Sequence, residues 1–184
     1  MAFVLRIDLK DARPPIWRRL VVEGDTMLDE FHEMLQIAFE WDNQHLYHFE
    51  TPDLLIKEPD EFENELMMKM DSTDPASISL KEVLQQPGNE MLYEYDFGDS
   101  WVHKIKFEKK MPLRDEDKPV LCIGGKKQAP PEDCGGLPGF YALLDVFKDP
   151  HHPEYQDMKA WLGYHFDPDD FSENRINELF EENF

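Results

Sequence analysis

The sequence predicts an α+β protein: a β-grasp-like twisted mixed sheet packed on a helix, with a C-terminal helical extension. Three observations predict it. Residues 91–110 read as a β-hairpin, with aromatic and β-branched residues alternating with polar ones around a Gly98-Asp99 turn signal. A helix with a broad apolar stripe, at residues 26–40, stands among strands in the first half of the chain. Beyond Pro138 the pattern is helical. Strands and helices therefore segregate along the chain, which favours α+β over an alternating α/β order.

Phe3, Leu5, Ile7 and Leu9 alternate with Val4, Arg6, Asp8 and Lys10, giving a first strand with one buried face. Residues 11–15 turn, and residues 16–22 return as a second strand. Thr26, with Asp29 three residues on, reads as the capping box of the helix. Its stripe is Leu28, Phe31, Leu35, Ala38 and Phe39, flanked by Met27, Met34 and Ile37. The helix stops near Trp41, and residues 45–50 form a third strand. No element is assigned to residues 52–77, which hold an acidic run at 59–65 and a turn signal at 71–75. Ser79 and Glu82 form a second capping box, opening a short helix that ends at Pro87-Gly88. Residues 112–119 are a charged connector, 120–123 a short strand, and 124–138 a loop dense in Gly and Pro. Helices follow at 139–147, 153–162 and 172–182, the last capped by Ser172.

The hairpin register follows from its faces. A loop of Gly98, Asp99 and Ser100 pairs Phe97 with Trp101, Tyr95 with His103, Tyr93 with Ile105 and Met91 with Phe107. One face is then apolar, and Glu94 lies opposite Lys104 on the other. A two-residue loop would mix the sets. Gly98 is expected in or near a left-handed conformation, so Gly98→Val should cost about 1–3 kcal/mol.

At 184 residues, 41% of them hydrophobic, the chain has ample material for a core despite its charge, and residues 1–184 are expected to form a single domain. Its sheet-rich part is 1–110, and its loop and helical part 119–184. With 19 Lys and Arg against 40 Asp and Glu, the net charge is −21. That charge opposes duplex DNA and anionic membranes, and it suits a basic partner. The N-terminus alternates like a strand rather than a signal peptide, and Cys122 and Cys134 form no CxxC motif. Reduced thiols in a cytoplasmic protein are expected.

Several stretches together resemble one family. They are Pro15, Ile16, Trp17, Arg18 and Arg19; the helix running into Ala38, Phe39, Glu40 and Trp41, followed by His45 and Leu46; Tyr95 to Asp99 with Trp101 and His103; and Pro130 to Gly136. The chain is similar over nearly its whole length to the plasmid pRiA4b ORF-3-like family. The resemblance implies an α+β fold without an assigned biochemical role. Some members carry a label as a resolvase-like passenger of an insertion element, a mobile-element association. A serine recombinase needs a nucleophilic Ser amid arginines and a basic tail, whereas the C-terminal helix here is acidic.

The candidate site residues are His45, Asp96, Asp99, His103, Glu132 and Asp133, since carboxylates with imidazole suit Zn, Mn or Fe. The register points Asp96 and His103 to opposite faces of the hairpin and leaves Asp99 in the turn, which favours a turn-capping role for Asp96 or Asp99 and a packed core role for His103. A two-histidine site of His45 and His103, completed by Glu132 or Asp133, requires separate segments to converge. The glycines before the helix at 139 could cradle an anion, but Glu132 and Asp133 oppose it. Cys122, Cys134, His151 and His152 fit no familiar zinc spacing, and Cys134 has no identifiable partner base. Arg18, Arg19 and residues 104–110 are the basic patches, expected to pair with the protein's own acids or with an acidic patch on a partner. Trp161, Tyr164 and Phe166 are expected to be core or cover for the C-terminal helices.

The sequence supports two functions. The favoured one is a non-enzymatic protein-binding or adaptor module that offers its acidic surface and a sheet edge to a protein partner. The alternative is a metal-dependent, hydrolase-like enzyme using His45, His103 and Glu132 or Asp133, with His45, His103 and Asp133 as candidate ligands of a divalent metal. Convergence of those side chains in one solvent-accessible cleft favours the enzyme, and their dispersal favours the module.

Overall fold

Alternating apolar residues put β1 (Ala2–Leu9) and β2 (Trp17–Glu23) side by side as an antiparallel pair. The computed structural model, which describes residues 1–59, 72–112 and 118–184, builds one sheet around them. The helix α1 (Leu28–Phe39) follows, then β3 (Tyr47–Glu50), β4 (Leu55–Lys57) and β5 (Ser72–Thr73). Next come α2 (Leu80–Val83), β6 (Glu90–Tyr95), β7 (Trp101–Met111) and β8 (Val120–Lys126). Three helices close the chain: α3 (Gly136–Lys148), α4 (Tyr155–Leu162) and α5 (Glu173–Asn183). The strand order is β5-β4-β3-β6-β7-β1-β2-β8.

The α+β class therefore holds. Apart from the parallel β4–β5 pair, neighbouring strands are antiparallel, including β1 with β7 at the centre. This pairing lends the β-grasp-like likeness no support beyond a mixed sheet packed on one helix. Phe31 of α1 stacks on Phe49 of β3, and Phe39 meets His103 of β7 edge-on at 4.5 Å. One buried cluster joins strand residues such as Leu5, Ile7 and Phe107 to Phe140, Phe166, Ile176 and Phe180 of the helical part. The C-terminal extension thus shares the sheet's core. No helix among the described residues is long and apolar enough to cross a membrane.

The hairpin keeps its predicted faces and loses its predicted register. Tyr95 lies opposite Trp101, Tyr93 opposite His103 and Met91 opposite Ile105. The pairing has moved by two residues, and a two-residue shift preserves side-chain parity. Residues 96–100 form the loop, with the left-handed positions at Asp96 (φ 57°) and Ser100 (φ 55°) rather than at Gly98. Asp tolerates this region because its side chain bonds locally, and Asp96 Oδ1 accepts from Gly98 N at 2.9 Å. Glu94 faces Val102, while Lys104 pairs with Glu90 at 2.8 Å.

Other expectations change for tertiary reasons. Thr26 does not cap α1, which starts after Met27 with no side-chain cap bond. The Thr26 carbonyl accepts from Leu80 N and Leu28 N donates to the Ile78 carbonyl, so backbone pairing with the segment before α2 replaces the cap. The Ser79–Glu82 capping box forms as expected, although α2 ends at Val83. Residues 52–77 contain β4, β5 and a 3-10 turn at Pro75–Ser77, and most of the acidic run lies outside the described residues. β8 extends to Lys126, and α3 begins at Gly136 because Pro138 is tolerated in a first turn. Ser172 caps α5 by accepting from Arg175 N.

Candidate metal centre and its cleft

Three chain turns meet at the hairpin tip. His45 sits in a bend just before β3, which starts two residues later than its sequence suggests. Asp96 directly follows β6, and its left-handed backbone turns the side chain out of the strand alternation. Its N–H donates to the Leu46 carbonyl at 2.9 Å, tying it to the His45 bend. Asp133, also left-handed (φ 57°), comes from the Gly-Pro loop before α3. His45 Nε2 lies 3.1 Å from Asp133 Oδ1 and 3.7 Å from Asp96 Oδ2. That nitrogen is buried and makes no well-directed hydrogen bond. Among the described residues this is the one group of three His, Cys, Asp or Glu side chains whose ligand atoms lie within 4.8 Å of one another. Asp96 is buried and Asp133 exposed, so the group opens outward from a fixed base.

The loop that carries Asp133 is held on both flanks. Glu132 accepts the Tyr95 hydroxyl proton and the Asp42 N–H, the latter at 2.8 Å. Asp99 Oδ2 accepts from Gly135 N at 3.1 Å, so Asp99 fastens the hairpin to the start of α3. Trp41 Nε1 donates to the Pro130 carbonyl at 2.9 Å. Burial first, and then the bond to Glu132, push the Tyr95 phenol above its ordinary range, so it is a proton donor to Glu132.

Of the six residues expected at a site, the structure thus joins His45, Asp96 and Asp133, with Glu132 and Asp99 bracing the loop. His103 is separate. It is fully buried opposite Tyr93, packed against Phe39 and Trp41, and burial pushes its imidazole down to about 3. The two-histidine arrangement is therefore corrected, because the hairpin face turns His103 into the core. Cys134 is no candidate nucleophile either, since burial, with Asp99 adding, pushes its thiol up to about 12. Both cysteines are free thiols, as expected.

The two arginines of the basic patches are engaged internally. Arg19 makes a bidentate pair with Glu108, and buried Arg18 donates to the carbonyls of Ala38, Trp17, Lys126 and Lys127. Two polar residues of α1 escape the sequence pattern. His32 and Gln36 are buried and bind the Tyr93 hydroxyl at 2.7 and 2.9 Å, and nothing in the apolar stripe signals them.

Beside the metal candidate lies a cleft of about 540 Å³, which Asp133 and Glu132 line together with Asp42, Trp41, Trp161 and Tyr164. Trp161 and Tyr164 are about half exposed there, and Phe166 alone of the expected trio is buried. α4 buries no residue, so its aromatics are free to face the cleft.

Fold and site together define an α+β protein with one histidine–carboxylate group set at the mouth of an acidic, aromatic cleft. The chain belongs to the plasmid pRiA4b ORF-3-like protein family, whose model matches residues 1–175. It is 34% identical over 160 residues to an uncharacterised protein, y4hQ, of Sinorhizobium fredii, spanning 86% of this chain and 79% of that one. Its structure is similar to the crystal structure of a protein of unknown function, MM3350, from Methanosarcina mazei Go1. The TM-score is 0.82 at 31% identity, covering 94% of this chain and 96% of that one.

Proposed function

We propose that the protein is a metal-dependent, hydrolase-like enzyme whose divalent ion is held by His45, Asp96 and Asp133. The observation that carries this is His45 Nε2: a buried nitrogen without a well-directed hydrogen bond, facing two carboxylate oxygens at 3.1 and 3.7 Å. A neutral imidazole with two carboxylates brings two negative charges, which matches Mn, Fe or Zn in the divalent state. Three protein ligands leave coordination positions open, and an ion there would supply an activated water or polarise a substrate oxygen. Tyr95 and Glu132 support the same loop, and Tyr95 holds its proton near the site.

The adaptor function draws less support from the fold. β8 is one edge of the sheet, but Asn177 of α5 accepts from Cys122 N at 2.7 Å and donates to its carbonyl at 2.9 Å. The other edge, β5, is two residues long. Among the described residues the β5 edge is too short for strand addition, and the middle of the β8 edge is taken by Asn177. We keep the expectation that duplex DNA is not bound, on the net charge of −21.

Crystals soaked in manganese test the site directly. An anomalous peak bonded to His45 Nε2 and both carboxylates is expected, at about 2.0–2.3 Å. Density elsewhere, or none at full soak, contradicts the proposal.

A further inference from the structure

We propose that the cleft beside the metal candidate binds a small organic cation through a guanidinium or ammonium group, which makes such a compound the substrate class of that site. The inference rests on the proposed function for its catalytic meaning, but the recognition itself needs no metal.

The argument begins with what lines the cleft. Glu40, Asp42, Glu132 and Asp133 contribute carboxylates, and among the described residues no Lys, Arg or His lines it. Three of these acids are already engaged. Glu40 pairs with Arg175, Glu132 with Tyr95 and the Asp42 N–H, and Asp133 with His45. Among the described residues the Asp42 carboxylate makes no hydrogen bond or ion pair, which leaves it to the cleft. A concave wall lined by one sign of charge focuses the field on its interior.

The aromatics supply the second, independent component. Trp161 is 49% and Tyr164 51% exposed, unusual for such large side chains when the same chain buries Trp101 fully. Both face a volume of about 540 Å³, within the range of small-molecule sites. Indole and phenol faces attract a desolvated cation, and a nearby carboxylate adds directed hydrogen bonds to its N–H groups. Partial burial first, and then carboxylates including Asp42, Glu40 and Glu132, push the Tyr164 phenol above its ordinary range. An anionic ligand would meet four carboxylates, and a neutral apolar one would leave the Asp42 carboxylate unpartnered.

Chelator-treated protein, titrated with agmatine and followed by tryptophan fluorescence and calorimetry, tests this. Saturable binding is expected that weakens with salt, with the neutral carbamoyl analogue of agmatine at least about ten-fold weaker. Trp161→Ala and Asp42→Asn should each weaken agmatine by about ten-fold, and Asp42→Asn should leave the melting temperature unchanged, since that exposed carboxylate makes no bond among the described residues. No saturation near 10 mM, or equal binding of the neutral analogue, overturns the proposal; the ~10 mM limit marks affinity too weak to matter. A capped arginine peptide that binds at least about ten-fold tighter than agmatine would also overturn it, by making polypeptide the ligand. Because metal is absent throughout, failure here leaves the metal centre standing, and failure of the metal centre leaves this result readable.

Discussion

Tyr95 on the hairpin donates a hydroxyl hydrogen bond to Glu132, 37 residues further along, and so holds the Asp133 loop against the strand that leads into Asp96. The same oxygen accepts from Gln44 N at 2.9 Å, next to His45. One side chain thereby ties together the three segments that carry the candidate ligands.

Tyr95→Phe removes that tie while keeping the buried ring. Losing a hydrogen bond to a carboxylate and leaving Gln44 N–H without its acceptor should cost about 1.5–3 kcal/mol. Urea unfolding reads the loss as a lower midpoint at constant slope. An unchanged midpoint would mean that the Tyr95–Glu132 bond does not hold the loop.

Stability should fall in acid through two histidines. Burial pushes His103 down to about 3 and His32 down to about 4, from an ordinary 6.5. Both rings are neutral in the folded protein, so below pH 6.5 the unfolded chain binds more protons. Their contribution is complete above pH 6.5 and is lost as pH falls towards the folded values, at about 1.4 kcal/mol per pH unit for each ring. His103→Leu should flatten that acid limb by about one proton's worth, measured as unfolding free energy between pH 7 and 4.5. An identical slope in the variant would place His103 in a solvated setting.

Gly136, rather than Gly98, is the glycine the hairpin region depends on. Gly136 is left-handed (φ 65°), and an added Cβ would come 2.6 Å from the Asp99 carbonyl oxygen. Gly136→Ala should therefore cost about 2 kcal/mol or more, combining strain with a backbone clash. At Gly98 a Cβ would meet only Asp96 Oδ1 at 3.2 Å, so Gly98→Ala should cost less than about 1 kcal/mol. Thermal unfolding of the two variants gives the order, and the reverse order would contradict the loop conformation.

The hairpin shows what a sequence states clearly and what it leaves open. Period-two alternation assigns Tyr93, Tyr95, Trp101 and His103 to one face under any even shift of register. The loop length depends on φ at Asp96 and Ser100, residue types that enter left-handed backbone only when local bonds support them. The same turn explains the misplaced ligand. Strand alternation carried through to residue 96 points Asp96 away, whereas the strand ends at Tyr95 and the side chain swings to His45. His45 and Asp133 were legible as residue types, and their meeting depends on long-range packing. The exposure of Trp161 and Tyr164 was not legible, because aromatics near a helix end usually signal core.

The most direct test of the metal centre is calorimetric titration of chelator-treated protein with manganese and zinc. The account predicts one stoichiometric site, lost in His45→Ala and Asp133→Ala and kept in His103→Leu, with affinity falling as acid protonates the ligands. No saturable heat in the native protein, or binding that survives His45→Ala but vanishes in His103→Leu, would contradict it.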